Sequence, residues 1–391
     1  MKKTILFING HLDAGGCERS LVDVLKNMDY DKYDVDLLLL EHTGDYLNEV
    51  PKNVRVFLYS LDNAFGRLDE CLIRAIKKRD YFSFWFRVNY FLWKKIGPYF
   101  AEKMKKLFSD LREDYDIIIA YRPGICTDLA AFIFCGEKKI SWWHHGTMNI
   151  TGKSKESLNK AYQKMDKVVS VSKSCKKMLE KNFPDIKEKI IVIPNMIIPD
   201  ELTQKAKLYR TQEFQDANLK IVTVGRMSYE KNMILCPEIA VQLKNSGIDF
   251  RWILIGDGEE ENHIREKIHK YGLQKNLVMI GRKNNPYPYI ANADIMVHPS
   301  LVESQGIVIL ESMALSTLVI AVESSGPSEF IKSGDNGYLV KPNVCEIVEL
   351  IKSIYNNIQF VKFDTSNGLK TVYEFTPEYV MKKIEMLIGE N

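Results

Sequence analysis

The strongest constraint on this chain is an alternation that runs almost its whole length. A short β-rich run is followed by an amphipathic stretch, then by another β-rich run. In the first half, residues 5–8, 35–40, 54–58, 117–120, 139–143, 168–171 and 190–193 read as strands. Helical patterns follow several of them, at 18–26, 157–165 and 173–181. Strands alternating with helices lead to a parallel sheet covered on both faces. The second half repeats the scheme, with strands at 220–224, 251–255, 277–280, 295–298 and 318–321 and helices near 237–245, 260–271, 307–315 and 347–356. Pro194, Pro199 and a polar run to Asn218 predict a linker between the halves. The expectation is α/β, with two doubly wound, Rossmann-like domains of similar size. Such sheets bind ligands at the carboxyl ends of their strands, so the cleft between the domains is the default site.

A chain of 391 residues can bury a large core without disulfides or structural metal. Its seven cysteines (Cys17, Cys71, Cys126, Cys135, Cys175, Cys236 and Cys345) are odd in number, widely spaced and free of any C-x-x-C pair. That argues against a disulfide framework and a zinc site, and places the chain in a reducing compartment. No apolar run reaches the roughly 18 residues of a membrane span. The apolar run that opens the chain, Ile5 to Ile8, stops before Asn9-Gly10-His11, too soon for a secretory leader. It reads as the first buried strand of a cytoplasmic protein. The net charge of +3 is unevenly divided: residues 1–200 hold 33 Lys and Arg against 27 Asp and Glu, and residues 201–391 hold 21 against 24.

Much of the basic surplus lies in residues 71–106, where ten basic side chains face two acids and ten aromatics fall between Tyr81 and Phe100. Two readings stand side by side. Interleaved rings and cations suit an anionic membrane surface or a lipid-linked acceptor; alternatively, a helical excursion packs its aromatics inward and solvates its charges. Nucleic acid is a weaker partner, because no recognition motif accompanies the patch.

Three motifs carry chemistry. The first strand leads into Gly10-His11-Leu12-Asp13-Ala14-Gly15-Gly16. A glycine pair between strand and helix lets the backbone approach a ligand, with helix N–H groups aimed at negative charge; the plainer reading is a turn. The strand at 220–224 ends in Gly225-Arg226, with Lys231 five residues on. A planar guanidinium and a mobile ammonium leaving the carboxyl end of one strand suit a diphosphate. Pro237 makes the following helix start late or kink. Most informative is Pro299-Ser300-Leu301-Val302-Glu303-Ser304-Gln305-Gly306-Ile307-Val308-Ile309-Leu310-Glu311. Gly306 permits close backbone approach, and the N–H groups of Ile307 and Val308 are free donors at a helix N-terminus. Glu303 precedes the helix and Glu311 lies within it, so they address different parts of one extended ligand. A buried Glu311 must accept hydrogen bonds, from the protein or from sugar hydroxyls.

With these residues in order, together with Gly256-Asp257-Gly258, Gly281, Ala293-Asp294, Gly326-Pro327, Glu329 and Asn336-Gly337, the chain resembles the retaining glycosyltransferases of family four, which have the GT-B fold. The resemblance implies a nucleotide-sugar donor, a UDP-sugar, held by the domain at 199–372. Residues 1–198 would form the acceptor domain, joined by a crossover helix at 373–391 with Thr376 as its N-cap. Arg226 and Lys231 would hold the diphosphate and Glu311 the ribose. Glu303 and the Gly306, Ile307 and Val308 backbone would meet sugar and phosphates, and Arg282 would flank the base. Gly15 and Gly16 would face the donor phosphates, and His144, or else its neighbour His145, would be the active-site histidine. Where the family pattern has an aromatic or small residue after the first glutamate, this chain has Ser304-Gln305.

The implied reaction is sugar transfer with retention to a glycan or lipid-linked acceptor, with His144, Arg226, Lys231 and Glu303 at the reacting centre. No Asp-x-Asp pair stands at a suitable strand end, so neither metal nor cofactor is expected. Lys outnumbers Arg 41 to 13, which suggests an A+T-rich genome and a bacterial surface-polysaccharide pathway. The protein would be cytoplasmic, or peripheral on the inner face of the membrane. The competing readings are a catalytically silent GT-B binding protein and a nucleotide-sugar epimerase of the same fold.

Overall fold

Strand β1 (Lys3–Asn9) has Ile5, Leu6, Phe7 and Ile8 sealed from solvent on consecutive positions, which requires both faces of the strand to be covered. The computed structural model describes residues 2–13, 15–41, 43–214, 217–356 and 359–389, and it shows that cover. With β2 (Tyr33–Leu39), β3 (Arg55–Leu58), β4 (Asp114–Ala120), β5 (Cys135–Trp143), β6 (Lys167–Ser170) and β7 (Ile190–Val192), β1 forms a parallel sheet in the order β3-β2-β1-β4-β5-β6-β7. The second sheet holds β8 (Leu219–Val224), β9 (Phe250–Ile255), β10 (Leu277–Met279), β11 (Ile295–His298), β12 (Leu318–Val322) and β13 (Tyr338–Val340), ordered β10-β9-β8-β11-β12-β13. In each, the order in which strands are added reverses beside the first strand, between β1 and β4 and between β8 and β11. The loops leaving those four strands therefore open onto a crevice.

Several features differ from the sequence reading, among them two further helices, Tyr287–Asn292 and Gln359–Val372. Strand β13 was not foreseen: it is three residues long, boxed between Gly337 and Pro342, and pairs only with β12. The stretch expected as linker contains a helix, Pro199–Ala206, started by Pro199 in its first turn and anchored by buried Leu202. Thr376 takes the N-cap position of the last helix, its carbonyl accepting from the Tyr379 and Val380 N–H groups while its hydroxyl donates to the Tyr373 carbonyl. The helix after Lys231 does start late: two 3-10 turns, Tyr229–Lys231 and Met233–Leu235, come before Cys236–Asn245, with Pro237 in the first turn.

The two cores exchange chain at one place. Met196 packs into the first core and Ile197 into the second. The final helix (Pro377–Gly389) brings the chain back, burying Val380, Met381, Ile384, Leu387 and Ile388 in the first core. The two crossings touch, since the Ile197 N–H donates to the Phe375 carbonyl at 2.8 Å. All seven cysteines are free thiols.

The basic aromatic segment folds as helices Leu68–Lys77, Tyr81–Ile96 and Tyr99–Lys105. Phe82, Phe86, Tyr90 and Trp93 pack onto the first core, as the inward reading requires. Ile73, Ile76, Tyr81, Trp85, Ile96 and Tyr99 stay exposed, beside exposed Lys77, Lys78 and Arg79. Among the described residues, no helix is long and apolar enough to cross a membrane.

Candidate active site

The second domain builds its wall of the cleft from two loops flanking the β8/β11 switch point. After β8 the chain turns sharply at Gly225 and runs backbone to backbone against the turn after β9. A Cβ on Gly256 would lie 1.8 Å from the Gly225 carbonyl oxygen, so only glycine fits there. This turn presents Arg226, exposed, its guanidinium without a hydrogen bond or ion pair among the described residues. Lys231 points the other way. Its ammonium lies 2.5 Å from Glu303 Oε1, and His298 Nε2 lies 2.6 Å from the same oxygen. Burial pushes the Glu303 carboxyl up, but the Lys231 charge and the His298 hydrogen bond outweigh it and bring it down to about 2. Glu303 is thus a fixed anion with Oε2 left free of protein donors among the described residues.

Three residues on, Gly306 takes a left-handed conformation (φ +86°) and starts the helix Ile307–Ala314. Its carbonyl accepts from Ile309 and Leu310, and among the described residues the Ile307 and Val308 N–H groups have no backbone acceptor. Deeper in, Glu311 accepts a 2.8 Å hydrogen bond from the Tyr287 hydroxyl. Here burial dominates: the Glu311 carboxyl is raised, although the Tyr287 bond, Arg19 and Lys205 pull against it. Arg19 stands nearby but is committed elsewhere, to Asp23 at 2.9 Å, Glu49 at 3.3 Å and Glu201 at 2.6 Å.

The first domain supplies the opposite wall. The loop after β1 carries Gly15 and Gly16, with Gly15 capping the helix Gly16–Lys26 without side-chain help. Just past β5, His144 lies over Tyr121 (ring centroids 4.9 Å apart), with the Asn195 side chain as a polar neighbour and, among the described residues, no partner at full hydrogen-bond geometry on either ring nitrogen. Burial, then the charges of His145 and Arg122, depress its pKa to about 3, so the ring is neutral at physiological pH. His145 is exposed and set edge-on to Trp143. Of the two, His144 is the shielded ring.

The walls are in contact. A Cβ on Gly16 would lie 3.3 Å from the Ile307 side chain, and one on Gly146 would lie 2.9 Å from the Glu303 carbonyl carbon. Glu329 accepts from the Lys173 and Ser174 N–H groups at 2.9 and 2.5 Å, and Arg282 is ion-paired with Asp45 across the cleft. The structure therefore gathers Gly16, the His144 turn, Lys231, Glu303, Gly306, Ile307 and Val308 at one place. Glu311 lies behind them, and Arg282 is at the rim, already paired.

Several contributors escaped the sequence reading. His298 was read only as the last residue of a strand, although a histidine closing an apolar strand five residues before Glu303 is a usable signal. Arg122 leaves β4 at the switch point, bonded to His11 Nε2 at 2.7 Å and 3.2 Å from Glu18. Gln305 and Asn195, both buried, meet across the domains. Nothing in a single sequence pairs residues that far apart.

Comparison with known proteins bears on the family and the fold. A family model described as Glycosyltransferase Family 4 matches residues 14–201, and one described as Glycosyl transferases group 1 matches residues 204–362. A Haemophilus influenzae glycosyltransferase of uncharacterized function is 25% identical over 358 residues, 90% of either chain. The Campylobacter jejuni N-acetylgalactosamine-N,N'-diacetylbacillosaminyl-diphospho-undecaprenol 4-alpha-N-acetylgalactosaminyltransferase is 25% identical over 354 residues, 87% of this chain and 86% of that protein. In three dimensions, Anabaena HepE, solved with UDP and glucose, superposes over 100% of both chains with a TM-score of 0.76 at 19% identity.

Proposed function

The chain belongs to the family-four glycosyltransferases of GT-B fold, and from that premise we propose that it moves a sugar, with retention, from a UDP-sugar to a glycan or lipid-linked acceptor. One observation carries the reading. The Lys231–Glu303 pair meets a helix N-terminus whose first N–H groups have no backbone acceptor among the described residues, the turn that follows neutral His144 abuts Glu303 from the other domain, and Arg226, unpaired among the described residues, stands on the loop that also carries Lys231. A sugar nucleotide has the complementary pattern: diphosphate oxygens for the cations and N–H groups, and hydroxyls for the carboxylates and the imidazole.

In the reaction, the bond from the anomeric carbon to the diphosphate breaks with its electron pair going to the phosphate oxygen. The acceptor hydroxyl bonds to that carbon from the same face, and its proton passes to the departing phosphate oxygen. Negative charge grows on the leaving group, where Arg226, Lys231 and the helix terminus at Gly306 stabilise it. These fixed charges do the work a metal ion does elsewhere, so turnover is expected to survive chelation. Glu303 offers Oε2 to a sugar hydroxyl, and His144, held neutral, orients another as donor or acceptor. Glu311 takes the ribose, and Arg282 together with Gly15 and Gly16 completes the donor site. Contact between the walls excludes water.

The acceptor follows from the Campylobacter relative, whose name places its sugar on a diphospho-undecaprenol carrier, and from the exposed side chains of residues 71–106. Ile73, Ile76, Trp85 and Tyr99 beside Lys77, Lys78 and Arg79 would seat the first domain on an anionic membrane. This fits a peripheral protein on the cytoplasmic face, in bacterial surface-polysaccharide synthesis. The test is turnover of a UDP-sugar panel with and without EDTA. Release of UDP by the wild type, and its loss in Arg226→Ala, supports the enzyme; no release from any donor favours a silent binding protein, and a rearranged donor an epimerase.

A further inference from the structure

The loop that grips the donor, Glu303 to Gly306, is held from both domains. On its own side, Gly326 lies so close that a Cβ there would be 2.7 Å from the Ser304 carbonyl oxygen, and the Gly326 N–H and Ser325 hydroxyl donate to the Glu303 carbonyl. From the first domain, Gly146 abuts the Glu303–Ser304 peptide and the Cys175 thiol faces the Ser304 carbonyl at 3.7 Å. The tightest link is Gln305. Its Oε1 accepts from the Asn195 backbone N–H at 2.7 Å and from Asn195 Nδ2 at 2.8 Å, while its Nε2 donates to the Asn195 carbonyl at 3.1 Å. The two residues are 2% and 5% exposed.

Asn195 adjoins the point where the chain passes between cores. Ile193 is still hydrogen-bonded to the first sheet, Met196 is in the first core, and Ile197 is in the second. Rotation of one domain against the other must act near these residues. Opening there pulls Asn195 from Gln305 and strips three hydrogen bonds from a sealed site. Buried amides left unpaired are costly, so the contact is either whole or lost to water. An aromatic or small residue at position 305 could not make it.

We propose that Gln305 is a positioning residue that ties the donor-gripping loop to the interdomain hinge, so that Glu303 and the Gly306 helix terminus reach their working geometry as the domains close. This rests on the donor reading above. It couples closure to the catalytic alignment of a loop that can already bind UDP, and assigns a function to the residues at which this chain departs from its family pattern.

The experiment is hydrogen exchange on the full chain, followed in peptides spanning 193–198 and 303–312, with and without UDP, alongside steady-state transfer. In the wild type, UDP slows exchange in both peptides together. In Gln305→Leu, UDP slows exchange only at 303–312, and kcat falls at least about ten-fold while the UDP dissociation constant moves less than about three-fold. Gln305→Glu keeps the oxygen that accepts both Asn195 donors and restores part of kcat and of the hinge protection, a rescue that a mere packing role would not give. Should Gln305→Leu fold poorly, Asn195→Ala breaks the same contact from the other domain and leaves the loop sequence intact. It must raise exchange at 303–312 even without ligand. Unchanged exchange there, or wild-type kcat with hinge protection in Gln305→Leu, overturns the proposal. If UDP does not bind the wild type, the donor reading fails, yet the ligand-free Asn195→Ala arm still decides the coupling.

Discussion

The two walls of the cleft are built on opposite principles. On the second domain's wall the two carboxylates are matched before any ligand arrives: Lys231 and His298 share one oxygen of Glu303, and Tyr287 bonds Glu311. On the first domain's wall the central group is unmatched, with His144 shielded, neutral and, among the described residues, without a partner at full hydrogen-bond geometry on either nitrogen. A buried anion needs standing partners or it will not stay ionised. A neutral imidazole can wait at much lower cost. On the reading proposed above, the donor wall binds with groups already held in place and the acceptor wall is completed by what enters the cleft.

The sharpest way to break this comparison is to remove the two cations separately. Arg226→Ala and Lys231→Ala should each cut turnover by about a hundred- to a thousand-fold, as loss of a leaving-group stabiliser does. Their stabilities should diverge. Lys231→Ala leaves Glu303 buried beside His298 alone and costs about 3 kcal/mol in denaturant unfolding. Arg226→Ala removes an exposed, unpaired side chain and shifts stability by less than about 0.5 kcal/mol. Equal unfolding midpoints would mean that the donor wall is not internally paired.

Next in size is His144→Phe, which should lower kcat about a hundred-fold while leaving the UDP dissociation constant within about two-fold, because the ring meets the sugar rather than the nucleotide. Weakened UDP binding of the same order would move His144 to the donor wall. With pKa values near 3 and 2, His144 and Glu303 contribute no limb to the rate profile between pH 5 and 8.

Glu311 gives a smaller effect with a definite sign. Its folded pKa is raised above the unfolded value of 4.5, so the carboxylate burdens the fold. That burden appears as pH rises through the unfolded value and is complete above the folded one. Glu311→Gln should therefore melt higher than the wild type at pH 8 and no higher at pH 4, while binding UDP about ten-fold more weakly through loss of a charge-assisted acceptor. A variant that is less stable at pH 8 would show that the carboxylate is a structural anchor.

Smallest for catalysis is the pair Lys77→Glu and Lys78→Glu. Each basic charge near an anionic surface is worth about 1 kcal/mol, so sedimentation with anionic vesicles at low salt should drop sharply. Transfer to a water-soluble acceptor should stay unchanged. Undiminished sedimentation would leave these helices with only their packing role.

The strands were legible because consecutive buried positions such as Ile5 to Ile8 or Ile253 to Ile255 write a parallel sheet directly into the sequence. The Pro199–Ala206 helix was hidden because one buried leucine, Leu202, anchors an otherwise polar surface turn. At the site, glycines and charges at strand ends marked Arg226, Lys231, Glu303, Gly306 and Glu311. Arg122 and Asn195 carried no such mark, and the signals at His298 and Gln305 gave no role, because each acts through a partner brought near only by folding.

The sequence by itself determined the alternation, hence two doubly wound sheets, and the residue types able to meet a sugar nucleotide. Periodicity and backbone freedom are local properties, and local properties can be read along a chain. Only the tertiary structure decided which cation stays free and which is spent on Glu303, which histidine is shielded and which exposed, and that Gln305 reaches Asn195. Those outcomes depend on burial and on contacts between residues about a hundred positions apart, and such contacts exist only once both domains are packed.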